Sequence, residues 1–334
     1  MGTYVVRRLA WMILVVLGMT LITFAITHMI PADPAKIAAG LGADASAVEK
    51  IRQELGLDLP LPEQYLFYLK NLLRGDLGRS ILTSRPVLDD IKDYFPATLE
   101  LTVLSMVVTM VLGVFLGILS ALQQGRLVDN VTRLFATLWV AMPVFWFALM
   151  LQILFYGKLE WLPPGGRIGE TVSPPPHVTG MFTLDSLLTL RFGTLGNALV
   201  HLILPVTAVA LTRVAEVARI TRSSMLEVLG VDYVRTARAK GLSEKVVILR
   251  HALKNASLPI ITTFGLQFGY LLGGTILVES IFQWPGMGRY AVLSITSVDF
   301  PAVIGVTVVA SFSFVLVNLG VDLTYRFADP RIRY

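Results

Sequence analysis

The chain has 334 residues, 54% of them hydrophobic and only 15% charged, with a formal net charge of +5. A soluble domain of this length carries nearer a quarter charged residues, so the composition points to lipid as the main solvent. With no cysteine, a disulfide framework and a thiolate metal site are excluded, and His28, His177, His201 and His251 are too scattered to suggest a ligand cluster.

The first apolar run, Leu9–Ile30, follows Arg7-Arg8 and is longer than the roughly 7–15 residues of a secretory signal core. It is long enough to cross about 30 Å of hydrocarbon and is read as an uncleaved first span. The segment 31–98 mixes short helices, Ala45–Leu55 and Gln64–Leu73, with turn material at Gly75-Asp76-Leu77-Gly78. A second span is predicted over Leu99–Leu122, where Gly113 and Gly117 are spaced for close approach of another helix. A third covers Leu134–Tyr156; its Trp139, Phe145, Trp146 and Phe147 read as packing or interface anchors rather than substrate contacts.

The segment 157–195 is rich in proline and glycine and predicts an irregular loop. The fourth span, Gly196–Val217, carries His201, Arg213 and Glu216, which are expected to snorkel from its ends. Two further spans follow at Leu258–Phe282 and Val303–Tyr325. Glu100, Glu216, Glu279 and Asp322 all lie within a turn or so of a span end. They are read as structural and interfacially solvated, with Asp322 and Arg326 as a helix-end pair. The resulting fold class is all-α, a polytopic membrane protein with six transmembrane helices.

Basic residues orient these spans. With the N-terminus inside, the inner segments 1–8, 123–133, 218–257 and 326–334 hold most of the arginine and lysine. The outer segments 157–195 and 283–302 hold only Lys158, Arg167, Arg191 and Arg289. Segment 31–98, with eight basic and ten acidic residues, is too long to count. Both termini are therefore expected in the cytoplasm.

The inner segment between spans four and five is about forty residues, far more than adjacent spans need. Asp232–Lys240 reads as a short helix ended by Gly241 in a left-handed conformation. Ser243 is placed to cap a second helix running toward Ala256, with Pro259 at the start of span five. Two short helices meeting at an angle, with a basic surface, make a knob suited to a groove on a soluble partner.

This loop resembles the coupling loop of bacterial ABC importer permeases, whose general pattern is Glu-Ala-Ala, three residues, Gly, nine residues, Ile, one residue, Leu-Pro. Laid on Gly241, the pattern falls on Arg235-Thr236-Ala237, His251 and Leu253-Lys254, of which Ala237, Gly241 and Leu253 agree with the general form. The departures fit the dipeptide/oligopeptide permease branch, which the chain resembles nearly end to end. Further landmarks are Pro31-Ala32-Asp33-Pro34 (Gly is commoner at its second position), Gly75-Asp76-Leu77-Gly78 and Ala97-Thr98-Leu99-Glu100. Later ones are Met142-Pro143-Val144-Phe145-Trp146, Glu279-Ser280-Ile281-Phe282, Trp284-Pro285-Gly286 and Asp329-Pro330-Arg331.

The resemblance implies the MetI-like permease fold in a bacterial inner membrane. Residues 1–30 would form a tail and first helix, 31–96 an external region, and 97–325 a five-helix core with its coupling loop at 218–257. Residues 326–334 would be a cytoplasmic tail. It implies pairing with a homologous second permease, two cytoplasmic ABC ATPases, an external peptide-binding protein and lipid, and no nucleic acid. The ATPases would dock on Tyr233, Arg235, Thr236, Ala237, Arg238, Lys240, Gly241 and Leu253, with the small Ala237 toward their groove. The outer loop 157–195 would reach toward the binding protein. ATP and magnesium belong to the partners, since no Gly-x-x-x-x-Gly-Lys-Ser/Thr occurs here. No catalytic or metal residue is expected, and neither His-Glu-x-x-His nor Gly-x-Ser-x-Gly is present. The cargo implied is a dipeptide or short oligopeptide, with nickel chelates, glutathione or oligosaccharide as alternatives.

Overall fold

The computed structural model describes residues 2–29, 33–39, 43–54, 56–273 and 275–328. Pro31-Ala32, Asp329-Pro330-Arg331 and the side chain of Arg326, with its proposed pairing to Asp322, lie outside what is described. The chain is helical, with only an isolated bridge between Arg79 and Pro86 among the described residues.

A long helix α1 (Gly2–Met29) is followed by three short ones, α2 (Pro34–Ala39), α3 (Ala45–Glu54) and α4 (Leu61–Leu73). Tyr65 of α4 donates its hydroxyl to the Leu17 carbonyl at 3.1 Å, which lays α4 along the C-terminal half of α1. At the turn after α4, the Asp76 side chain accepts a hydrogen bond from the Gly78 amide at 2.8 Å.

Helix α5 (Val87–Leu122) begins twelve residues before the predicted second span and runs through Pro96, which removes a single backbone donor. It packs along α9 (Phe192–Leu229) where Gly113 and Gly117 bring the backbones together. A Cβ on Gly113 would stand 2.7 Å from the Val217 side chain, and one on Gly117 would stand 2.7 Å from the Ala218 carbonyl.

The predicted third span is not one straight helix. Residues 127–158 form α6 (Leu127–Ala141) and α7 (Val144–Gln152), the latter continued by a π-helical turn at Ile153–Lys158, and the two meet at 98°. The bend falls on Met142-Pro143: proline has no N–H to continue α6 and pushes the preceding residue into an extended conformation, here ψ 123°. Trp139 meets the buried Phe147 edge-on at 4.4 Å, whereas Phe145 and Trp146 are exposed.

The segment 157–195 carries a short helix, α8 (Phe182–Leu188), and is anchored along its length rather than free. In α9, His201 is buried and its Nδ1 lies 2.8 Å from the Gly165 carbonyl of that segment, so it is held by the chain and does not snorkel.

After α9 come α10 (Asp232–Ala239), the single turn α11 (Glu244–Val246) and a π-helical stretch, Val247–Ala252, that merges into α12 (Leu253–Leu272). The second helix of the predicted pair is thus continuous with span five, and Pro259 lies inside α12 rather than at its start. The helix over the predicted fifth span stops at Leu272, and a further helix, α13 (Ile276–Ile281), follows. Helices α14 (Met287–Thr296) and α15 (Phe300–Ala328) complete the described residues.

Among the described residues, α5, α9 and α15 are long and apolar enough to cross a bilayer, and the bent pair α6–α7 makes a fourth. The described apolar part of α1 covers Ile13–Ile26.

Candidate functional site

The loop at one end of α9 is built as a braced corner. On α10, Val234 and Ala237 are one turn apart and buried against Val247 of the π-helical stretch, while Tyr233, Arg235, Thr236, Arg238 and Lys240 face solvent. Ala237 therefore faces its own chain; the expectation that its small size serves a partner's groove is corrected, because positions i and i+3 share the inward side of so short a helix. Gly241 has φ +75°, and its amide donates to the Arg238 carbonyl at 2.9 Å to close the turn.

Across the corner, Arg238 Nε donates to Glu244 Oε1 at 2.8 Å, bridging α10 and α11. Ser243 stands at the N-cap position of α11, but its hydroxyl makes no capping bond; its carbonyl accepts from Val246 and Val247 instead. Leu253 lies on the other arm, half-buried against Ala121, Met225, Ala252 and Ala256. Of the eight residues singled out, seven gather on α10 and its closing turn, and Leu253 joins that unit to α5 and α9.

A second brace behind the loop escaped sequence reasoning. Asp129, at the start of α6, is 1% exposed and accepts Arg222 Nε at 2.6 Å and Arg222 Nη2 at 2.8 Å. Ser120 donates to it at 2.6 Å and the Gly125 amide at 2.9 Å. One bidentate carboxylate thus ties α5, α6 and α9 together. The pairing was hidden because its members are 93 residues apart and Arg222 reads as one topogenic charge among several.

At the opposite end, the quoted motifs converge. Glu100 is buried and accepts Arg167 at 2.5 Å, the Thr183 amide at 2.6 Å and the Thr183 hydroxyl at 2.7 Å. The Arg167 guanidinium lies 3.6 Å from the centre of the Phe182 ring. Glu279 is also buried and accepts Thr98, Gly288 and Arg289, the last two being amides in the first turn of α14. Trp284 donates its indole N–H to the Ala97 carbonyl at 2.8 Å. The structural reading of Glu100 and Glu279 holds, but interfacial water is not what satisfies them: protein donors do. In the outer loop, burial would raise the Asp185 carboxyl, yet the Thr179 hydroxyl and the amides of Val178, Thr179 and Gly180 hold it below the usual carboxylate range.

Residues 113–334 match the family described as binding-protein-dependent transport system inner membrane component, and residues 1–102 match the N-terminal family of such components. The chain is 49% identical to the probable D,D-dipeptide transport system permease protein DdpB of Escherichia coli, over 98% of this chain and 97% of the relative. It is 45% identical to the dipeptide transport system permease protein DppB of Alkalihalophilus pseudofirmus, with full coverage of both. It is 39% identical to the glutathione transport system permease protein GsiC of Pectobacterium atrosepticum, again over both whole chains.

Proposed function

The chain belongs to the family of binding-protein-dependent transport system inner membrane components, and from that membership we propose a membrane-spanning permease subunit of an ATP-driven importer of dipeptides or short oligopeptides. The observation that carries the cargo class is the full-length similarity to two permeases named for dipeptides, higher than that to the glutathione permease. The subunit is non-catalytic: ATP and magnesium are held by two cytoplasmic ATPases, and a homologous second permease supplies the other half of the pathway. An external binding protein delivers the peptide, and the outer loop around 170–176 is the part of this chain nearest to it.

The proposed topology is six spans in a bacterial inner membrane with both termini cytoplasmic: α1, α5, α6–α7, α9, α12–α13 and α15. The basic residues of the 218–257 loop favour that orientation. The ATPases dock on the solvent face of α10, through Tyr233, Arg235, Thr236, Arg238 and Lys240. Ala237, Gly241 and Leu253 keep that face rigid against α9 and α12. Co-expression with a homologous second permease, two ATPases and a binding protein, followed by ATP-dependent uptake of labelled Ala-Ala into proteoliposomes, tests the reading. Competition by excess glutathione or a nickel chelate but not by peptides would overturn the cargo.

A further inference from the structure

A carboxylate well inside a membrane helix is costly unless it is paired or wetted. Glu216, expected within a turn or so of a span end, instead neighbours Val217, which packs on Gly113, nine residues or about 13 Å from the end of α5, because α9 runs on to Leu229. It is half-buried, and among the described residues no Lys, Arg or His nitrogen comes within 4.0 Å of it, Arg213 and Arg219 of its own helix included. Its partner is Gln267 of α12, whose Nε2 donates to Glu216 Oε2 at 2.8 Å. Since a carboxylate only accepts, the amide must turn its N–H toward it, which leaves Gln267 Oε1 buried with no donor. Two helices thus present accepting oxygens and no counter-cation.

A cleft begins one helical turn away from the pair. Between α9 and α12 an open cleft of about 590 Å³ is lined by Ile220 and Ser223 on one side and Pro259, Thr262 and Thr263 on the other. Glu216 is one turn beyond Ile220 on the same face of α9, and Gln267 is one turn beyond Thr263 on α12. Hydroxyls therefore lead from the loop end of the helices up to the carboxylate.

We propose that this strip is the chain's wall of the translocation pathway and that Glu216 with Gln267 receives the α-ammonium group of a peptide in transit. The assignment rests on the peptide-importer reading. An α-amino group with a pKa of about 7.7–8.0 is largely protonated at neutral pH and brings three donors to the waiting acceptors. A half-open site gives a contact weak enough to release.

The test uses the complete importer in proteoliposomes with Ala-Ala as probe. Glu216→Gln, which can keep the bond to Gln267, is expected to assemble, retain ATPase activity and lower Ala-Ala uptake by about tenfold or more. Glu216→Asp is expected to restore most of it. Because the chain has no cysteine, Glu216→Cys should react with a water-soluble methanethiosulfonate reagent, whereas Val111→Cys, on an exposed apolar face of α5, should not. Undiminished uptake by Glu216→Gln, or an unreactive thiol at 216 while the native chain carries Ala-Ala, overturns the inference and leaves the cargo reading intact. Loss of assembly in both Glu216→Gln and Glu216→Asp overturns it in favour of a fixed ion pair with the partner permease. A native importer that ignores Ala-Ala overturns the cargo reading, and the ammonium role with it.

Discussion

At Gly241 a Cβ would meet nothing within 4 Å, so a side chain there costs backbone strain alone, about 1 kcal/mol or more for a left-handed residue. Asn tolerates that region better than Ala or Val. ATPase association, measured by co-purification, is therefore expected to fall in the order Gly, Asn, Ala, Val at 241, with insertion and permease pairing unchanged. Ala237→Arg acts differently: it forces α10 away from Val247 from within, and should release the ATPases without any contact to them. Normal uptake by both Gly241→Val and Ala237→Arg would reduce the loop to a topogenic role. At Asp129, removal of one partner from a buried pair costs about 3–5 kcal/mol, somewhat less here because Arg222 is partly open to solvent. Asp129→Asn should lower the thermal midpoint of the purified complex, and Asp129→Leu combined with Arg222→Leu should recover much of it. Gly241 was legible because a glycine directly after a short helical run has one common backbone meaning. Asp129 was not, since no local pattern links an acid to an arginine 93 residues on.

Among the elements, α10 and its turn were readable from propensity and capping, and their bounds came out within a residue. The bend between α6 and α7 and the break between α12 and α13 were not. Apolar runs over 134–156 and 258–282 give the same hydropathy whether straight or broken, and only Pro143 and Gly273-Gly274 marked the breaks. The segment 157–195 is largely the irregular backbone its prolines and glycines predict; its pinning by Arg167, Asp185 and Asn197 had no local signal. Residues 171–176 lie between the anchors at Gly169 and Val178. Their deletion is expected to preserve assembly and to weaken binding-protein docking, measured by the binding-protein concentration for half-maximal uptake. An unchanged value would make the segment a plain connector.

For the whole molecule, a buried polar network lies toward each end, around Asp129 and around Glu100 and Glu279, and a cleft opens between α9 and α12 near the loop. Cysteine labelling of the cysteine-free chain should mark Pro60→Cys and Glu170→Cys from outside, and Val128→Cys and Lys240→Cys from inside. External labelling at 240 would invert the topology. The bond between Glu100 and Arg167 also bears on how the chain is made. Its acid is synthesised 67 residues before its base, so the ribosome delivers α5 to the membrane with a carboxylate whose counterpart does not yet exist. Until Arg167 has been made and folded back onto α5, that helix is a half-finished product. A nascent chain stopped at residue 160 is therefore expected to be degraded faster, in a pulse-chase, than one stopped at residue 190, and Glu100→Gln should narrow the difference. Stability in this subunit has a schedule, and the outer loop is the step that completes it.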